Sequence, residues 1–246
     1  MADREPLTLP RAVARLRDLH GSPQGPPTRD PFGLVLWENV AYLPSPDGRR
    51  EAFAQLRRTV GTTPSAILGA RRSALERVAA RGILAPRVAS KIRECARIAL
   101  DRFGGDLSGA VAGPVGEAVR ALRRFPGVGE PGAEKILLFT GRPVGLAPES
   151  NGLRVLVRLG LVRQESSYAR TYAAGREAGR ALPAKAAALQ EAHLLLQEHG
   201  RTLCRRSAPA CDRCPLAAGC LHARGLADAA PARVRSRRSA ASKERG

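Results

Sequence analysis

The chain has 246 residues, with 41 lysines and arginines against 22 acidic residues, a net charge of +19. Hydrophobic residues make up 43% and aromatics 4%, which bounds the protein to one large or two small globular domains and excludes a rich stacking platform for single strands. No apolar run is long enough for a membrane span, and the opening Met-Ala-Asp-Arg-Glu lacks the apolar core of a secretory signal. A soluble, monomeric, cytoplasmic protein with no membrane partner is expected, nucleoid-associated if bacterial. The charge favours a polyanionic partner, because each neutralised phosphate releases counterions. Codon bias also produces arginine-heavy chains, so charge alone leaves nucleic acid open. Only four of the basic residues are lysine: Lys91, Lys135, Lys185 and Lys243.

In chain order, a short helix is expected over residues 10–19, followed by the linker Ser22-Pro23-Gln24-Gly25-Pro26-Pro27. A further short helix is read over residues 50–56. Thr62-Thr63-Pro64 supplies an N-cap and a helix-starting proline ahead of Ile67 and Leu68. Residues 73–80 read as helix, and so do 86–103, where Val88, Ile92, Cys95 and Ala99 recur at helical spacing before Gly104-Gly105 stops the run. Cys95, on that apolar face, is expected in the core. Residues 187–199 form another helix. The final stretch, 231–246, has six basic residues against Glu244, a net of +5, and no apolar period; it reads as a disordered basic tail. Strand signals are weak throughout, so the fold is expected to be all-α.

Leu122 to Ala133 contains Phe125-Pro126-Gly127-Val128-Gly129 between two helical stretches. A Pro-Gly-x-Gly turn opening a helix leaves backbone N–H groups free at the positive end of the helix dipole. The glycines let a phosphate approach, and Val128 can anchor the turn. Near the end of the chain, Cys204, Cys211, Cys214 and Cys220 follow a C-x6-C-x2-C-x5-C pattern. Four soft sulfurs so close in sequence suit zinc or an iron–sulfur cluster, and the spacing does not choose between them. Disulfides are disfavoured because nothing marks the chain as secreted. The four histidines show no metal-ligand spacing.

The hairpin, the cysteine spacing and His199-Gly200-Arg201-Thr202-Leu203-Cys204 together resemble the helix-hairpin-helix DNA glycosylases of the endonuclease III and adenine glycosylase group. The resemblance runs from Asp30 to His222 and includes Asp30-Pro31-Phe32 and Arg102-Phe103-Gly104-Gly105. It implies two all-α domains with DNA lying between them. The expected divisions are an N-terminal helix and linker (1–29) packing with the cluster domain, a helical barrel (30–144) with the hairpin at 125–133, a cluster domain (145–223) and the tail (224–246). It implies a [4Fe-4S] cluster on the four cysteines. It also implies phosphate contacts from Gly127, Val128, Gly129, Arg205 and Arg206; Lys135, one helical turn beyond Pro131, reads as a salt-bridged or phosphate-facing surface lysine.

The family's chemistry is cleavage of the N-glycosidic bond of a flipped-out nucleotide in double-stranded DNA that carries a damaged or mismatched base. Its carboxylate beside the sugar falls at Glu149, within Glu149-Ser150-Asn151-Gly152-Leu153-Arg154-Val155, with Asn151 beside it. This glutamate is one methylene longer than the family's aspartate; the bland reading is a helix-start residue favoured by the dipole. Glu38, counted from Pro31, coincides with the glutamate that acts as general acid toward the base. A carboxyl in so apolar a stretch is costly without a partner or a purpose. Asn39 and Tyr42 are expected to line the same pocket or the minor-groove wedge.

Bifunctional relatives carry a Schiff-base lysine where this chain has Pro131, so a monofunctional enzyme is expected. Two alternatives stand beside it: a catalytically degenerate iron–sulfur DNA-binding protein, and a glycosylase/lyase using Lys135. Adenine removal opposite oxidised guanine is disfavoured, because such enzymes add a C-terminal recognition domain and 26 residues follow Cys220 here.

Overall fold

A computed structural model of the chain describes residues 7–41 and 46–225. Among them run twelve α-helices and no β-strand: α1 (Leu9–His20), α2 (Pro31–Asn39), α3 (Pro46–Thr59), α4 (Pro64–Gly69), α5 (Arg72–Ala79), α6 (Ala85–Phe103), α7 (Ser108–Ala112), α8 (Val115–Leu122), α9 (Glu130–Phe139), α10 (Ser150–Leu159), α11 (Tyr168–Ala178) and α12 (Ala186–Thr202). The all-α expectation holds. Tyr42, and the expected tail from residue 226 onward, lie outside the described residues.

Local signals fix several helix ends. Thr63 Oγ1 accepts from Ala66 N at 3.3 Å and caps α4. The amides of Gly104 and Gly105 donate to Leu100 O and Ala99 O, with both glycines in the left-handed region, and α6 stops there. The helix expected over 50–56 is longer, as α3. Its buried Ala52, Phe53 and Leu56 gave the apolar signal, while its polar flanks gave none.

Two hydrophobic cores organise the molecule. The first lies among α2 to α9 and includes Phe32, Phe53, Ile67, Ile92, Leu122 and Phe125. Cys95 is fully buried in it, as expected, and burial pushes its thiol pKa up to about 12. The second core joins the two ends of the described chain. Leu9, Ala12, Val13 and Leu16, one stripe of α1, pack with Val155, Leu156, Leu195 and Leu196 of α10 and α12. Glycines let α10 and α12 approach closely: a Cβ on Gly200 would lie 2.5 Å from Asn151 O.

Helix α9 belongs to both cores, giving Ile136 and Leu137 to the first and Leu138 to the second. Polar struts tie it to the second half. Gln190 Nε2 donates to Leu138 O at 2.7 Å. Glu134, only 3% exposed, accepts from Tyr172 Oη at 2.5 Å and pairs with Arg176 Nη1 at 2.8 Å. A buried carboxylate is tolerated because both partners reach it.

Candidate nucleic-acid interface and cleft

The hairpin between α8 and α9 buries Phe125 and Val128 and exposes Gly127, Gly129 and Glu130. Gly127 has φ +77°, a left-handed conformation that favours glycine. Gly129 opens α9 in extended conformation without a side-chain cap, and Pro131 in the first turn has no N–H. Among the described residues the amides of Glu130 and Gly132 have no backbone acceptor, leaving donors at the positive end of the helix. Glu130 brings a carboxylate into the same turn, which lowers the net attraction for a phosphate. Cations flank it: Arg123 and Arg124 are exposed, and Lys91 Nζ on α6 lies 3.3 Å from where a Gly127 Cβ would be.

Asn39 does not line the cleft beside Glu38. It is 4% exposed, its amide donates to Val35 O at 3.0 Å, and its Oδ1 lies 2.7 Å from the Cβ position of Gly127. Successive helix residues point about 100° apart, so Asn39 turns inward under the hairpin while Glu38 turns to the cleft.

That cleft, of about 840 Å³, lies between the two halves. Trp37, Glu38, Arg49, Arg50 and Lys135 line one side; Glu149, Asn151, His193, Gln197 and Arg201 line the other. Residues far apart in sequence thus meet here. Glu38 Oε2 pairs with Lys135 Nζ at 2.7 Å. Glu149 caps α10: Oε1 accepts from Asn151 N at 2.9 Å and Gly152 N at 3.1 Å. Its Oε2 accepts from Asn151 Nδ2 at 3.1 Å and Ser150 Oγ at 3.3 Å. Arg154 Nη2 donates to Asn151 Oδ1 at 2.8 Å and to Gly200 O at 2.7 Å, and its Nε donates to Cys204 O at 2.9 Å. One guanidinium therefore ties the Glu149 cap to the first of the four closely spaced cysteines. At the cleft's edge the Arg49 and Arg50 guanidinium carbons lie 5.8 and 5.9 Å from the Trp37 ring centre.

Cys204, Cys211, Cys214 and Cys220 are all free thiols, and they surround one small cavity with Val155, Leu159, Leu203 and His199. Burial pushes the thiols of Cys214 and Cys220 above their ordinary range. Among the described residues no three His, Cys, Asp or Glu side chains converge on a single ion position. Four soft sulfurs around one cavity could hold a zinc ion or an iron–sulfur cluster. Arg158 Nη1 lies 3.4 Å from Cys204 Sγ and donates to Arg205 O at 2.7 Å, while its Nη2 donates to Arg206 O at 3.0 Å. The backbone that carries the exposed Arg205 and Arg206 is thereby held from below. His199 bridges the two sites: its Nε2 lies 3.4 Å from Cys214 Sγ, and its Nδ1 lies 3.2 Å from Nε2 of His20, which lines the cleft.

Sequence reasoning missed the tip before α6. Ile83 and Leu84 are 53% and 48% exposed, and Leu84 has φ 60°. Two adjacent exposed aliphatic residues in a Gly-Ile-Leu-Ala-Pro segment were the available signal.

The chain matches no protein-family model and no curated protein. Solved structures do match. An endonuclease III trapped as a covalent intermediate with DNA superposes with a TM-score of 0.71 at 20% identity, covering 89% of this chain and 98% of that one. A non-covalent endonuclease III–DNA complex gives 0.69 at 18% identity, with 89% and 98% covered. A thermostable thymine-DNA glycosylase gives 0.67 at 16% identity, with 87% and 95% covered. The chain shares the all-α fold of these structures. Within it, this chain has the endonuclease III arrangement of helices.

Proposed function

We propose that the protein is a DNA base-excision glycosylase, monofunctional, acting on duplex DNA that carries a damaged or mismatched base. The observation that carries this reading is the cleft. Between a hairpin suited to phosphate and a cysteine-bearing half, it collects Glu38, Lys135, Glu149 and Asn151. The hairpin amides, Lys91 and Arg123 would hold one stretch of backbone, and Arg205 and Arg206 another. The Ile83-Leu84 tip suits the gap that an extruded base leaves in the stack.

Breaking a glycosidic bond puts positive charge on the sugar and negative charge on the leaving base. Glu149, fixed by four donors, presents negative charge without needing to reorganise as the sugar becomes cationic. A proton for the base comes from the Glu38–Lys135 pair. Glu38 is expected to work with its lysine, since the ion pair already engages the carboxylate. Pro131 offers no nucleophile, and Lys135 is held by Glu38, so water attacks the sugar. The four cysteines fit a [4Fe-4S] cluster, which when bound staples the loop presenting Arg205 and Arg206.

The test is excision from a panel of lesion and mismatch duplexes by the purified, metal-loaded protein. Abasic product that breaks only after alkali, with no borohydride-trapped adduct, is expected. Glu149→Gln and Glu38→Gln should bind DNA and lose excision. A trapped adduct would sink the lysine-free mechanism. Tight binding with no excision anywhere on the panel would leave a DNA-binding protein without chemistry.

A further inference from the structure

If water is the nucleophile, some group must hold it and accept its proton. The cleft's carboxylates are engaged: Glu38 by Lys135, Glu149 by four donors, and Glu198 by Arg201 at 2.7 Å. Asp47 sits on the exposed rim. His20 faces His199. His193 remains. Its Nδ1 lies 2.7 Å from Ala147 O, so Nδ1 carries the hydrogen and Nε2 presents a lone pair. That Nε2 has no hydrogen-bond partner among the described residues, and the residue, though only 2% exposed, lines the cleft.

We propose that His193 is the base of the hydrolysis: its Nε2 holds the attacking water and takes its proton. The inference rests on the glycosylase reading above. The water oxygen bonds to the sugar C1′ as the C1′–N bond breaks, and that bond's electron pair leaves on the base nitrogen. One water proton goes to His193 Nε2 and the other stays on the new hydroxyl. The base nitrogen takes a proton from the Lys135–Glu38 pair, and His193 returns its own to that pair through solvent. Protons and charge balance, and the enzyme ends as it began.

The surroundings suit the role. Burial, with the charge of Lys135 added, pushes the His193 pKa down to about 4, against smaller opposing effects from Ala147 O and Glu38. Phe139 packs edge-on against the ring. The imidazole therefore stays neutral at physiological pH, with the proton affinity of an ordinary carboxylate. The bond to Ala147 O also fixes the ring relative to Glu149, two residues further along the chain.

The experiment is single-turnover excision by the loaded full chain on a duplex that the wild type processes. In His193→Gln the amide can still donate to Ala147 O. This variant should bind DNA within about twofold of wild type and excise roughly a hundredfold more slowly. Imidazole added to His193→Ala should restore part of the lost rate. His193→Gln excising within about threefold of wild type, while Glu149→Gln is inactive, would overturn the assignment and leave the glycosylase reading standing. A wild type that excises nothing overturns that reading and this one together. Should both variants fail to fold, the wild-type pH profile decides. The rate must fall as pH approaches about 4 with DNA still bound, and a flat rate through that range overturns the proposal.

Discussion

The Glu38 carboxylate and the Lys135 ammonium meet at 2.7 Å in the wall of the cleft, with side chains 17% and 16% exposed. They come from α2 and α9, so the pair fastens two helices as well as furnishing the site. Removing one partner strands a half-desolvated charge. Lys135→Met should cost about 1–3 kcal/mol in urea denaturation. The double variant with Glu38→Gln should cost less than the sum of the single changes. Purely additive losses would mean that the two side chains do not depend on each other.

Gly127 and Asn39 make a second dependent pair. Gly127→Ala meets two obstacles, the φ of +77° and the Asn39 Oδ1 at 2.7 Å. The hairpin is on the surface, so the fold should survive while the turn reshapes. DNA affinity should drop about tenfold, on the order of 1.4 kcal/mol, by fluorescence anisotropy at fixed salt. Adding Asn39→Ala removes the close contact but not the backbone strain, so it should recover only part of the loss. Unchanged affinity in Gly127→Ala would remove the hairpin from the binding surface.

Features with a local physical cause are legible in the sequence. The Thr63 cap, the Gly104-Gly105 stop and the apolar stripe of α6 depend on residues within one or two turns, and each stands where its pattern placed it. Glu38, Glu149 and Asn151 could be picked out by resemblance, but their partners could not. Lys135 engages Glu38 across 97 positions, and Arg154 reaches Cys204 across 50. No periodicity encodes such meetings. Asn39 shows the same limit at short range, because the inward turn of its side chain depends on the hairpin packed above it. Nothing in the spacing of the four histidines singles out His193, since the free state of Nε2 is a property of the cleft and not of its own helix.

Glu134 gives a prediction with a definite pH sign. Burial raises its pKa above the ordinary 4.5, while Tyr172 and Arg176 pull against that rise. The folded protein therefore holds this proton more tightly than the unfolded chain, and this group's contribution to stability falls as pH rises above 4.5. Tyr172→Phe removes one opposing bond and lifts the pKa further. The variant should lose about 1–3 kcal/mol, and the deficit should be larger near pH 7 than near pH 5 on the linkage argument. Denaturation at both values checks it. A deficit that shrinks toward neutral pH would contradict the buried-carboxylate account.

Thiol chemistry separates the five cysteines. Cys95, fully buried with its pKa near 12, should resist alkylation in the native protein whatever happens at the other four. With a cluster bound, Cys204, Cys211, Cys214 and Cys220 should also be protected, and the protein should show visible iron–sulfur absorbance with acid-labile sulfide. Removing the metal should expose those four thiols and lower the melting temperature, because Leu216, Cys220 and the loop carrying Arg205 and Arg206 pack onto α10 and α12 through them. Cys211→Ser should lose the chromophore and weaken DNA binding, whereas Cys95→Ala should keep both and lose stability alone, by about 1–3 kcal/mol. Zinc recovered in stoichiometric amount without sulfide would replace the cluster by a single ion, and the thiols would then have to close inward from the ring they form around the cavity.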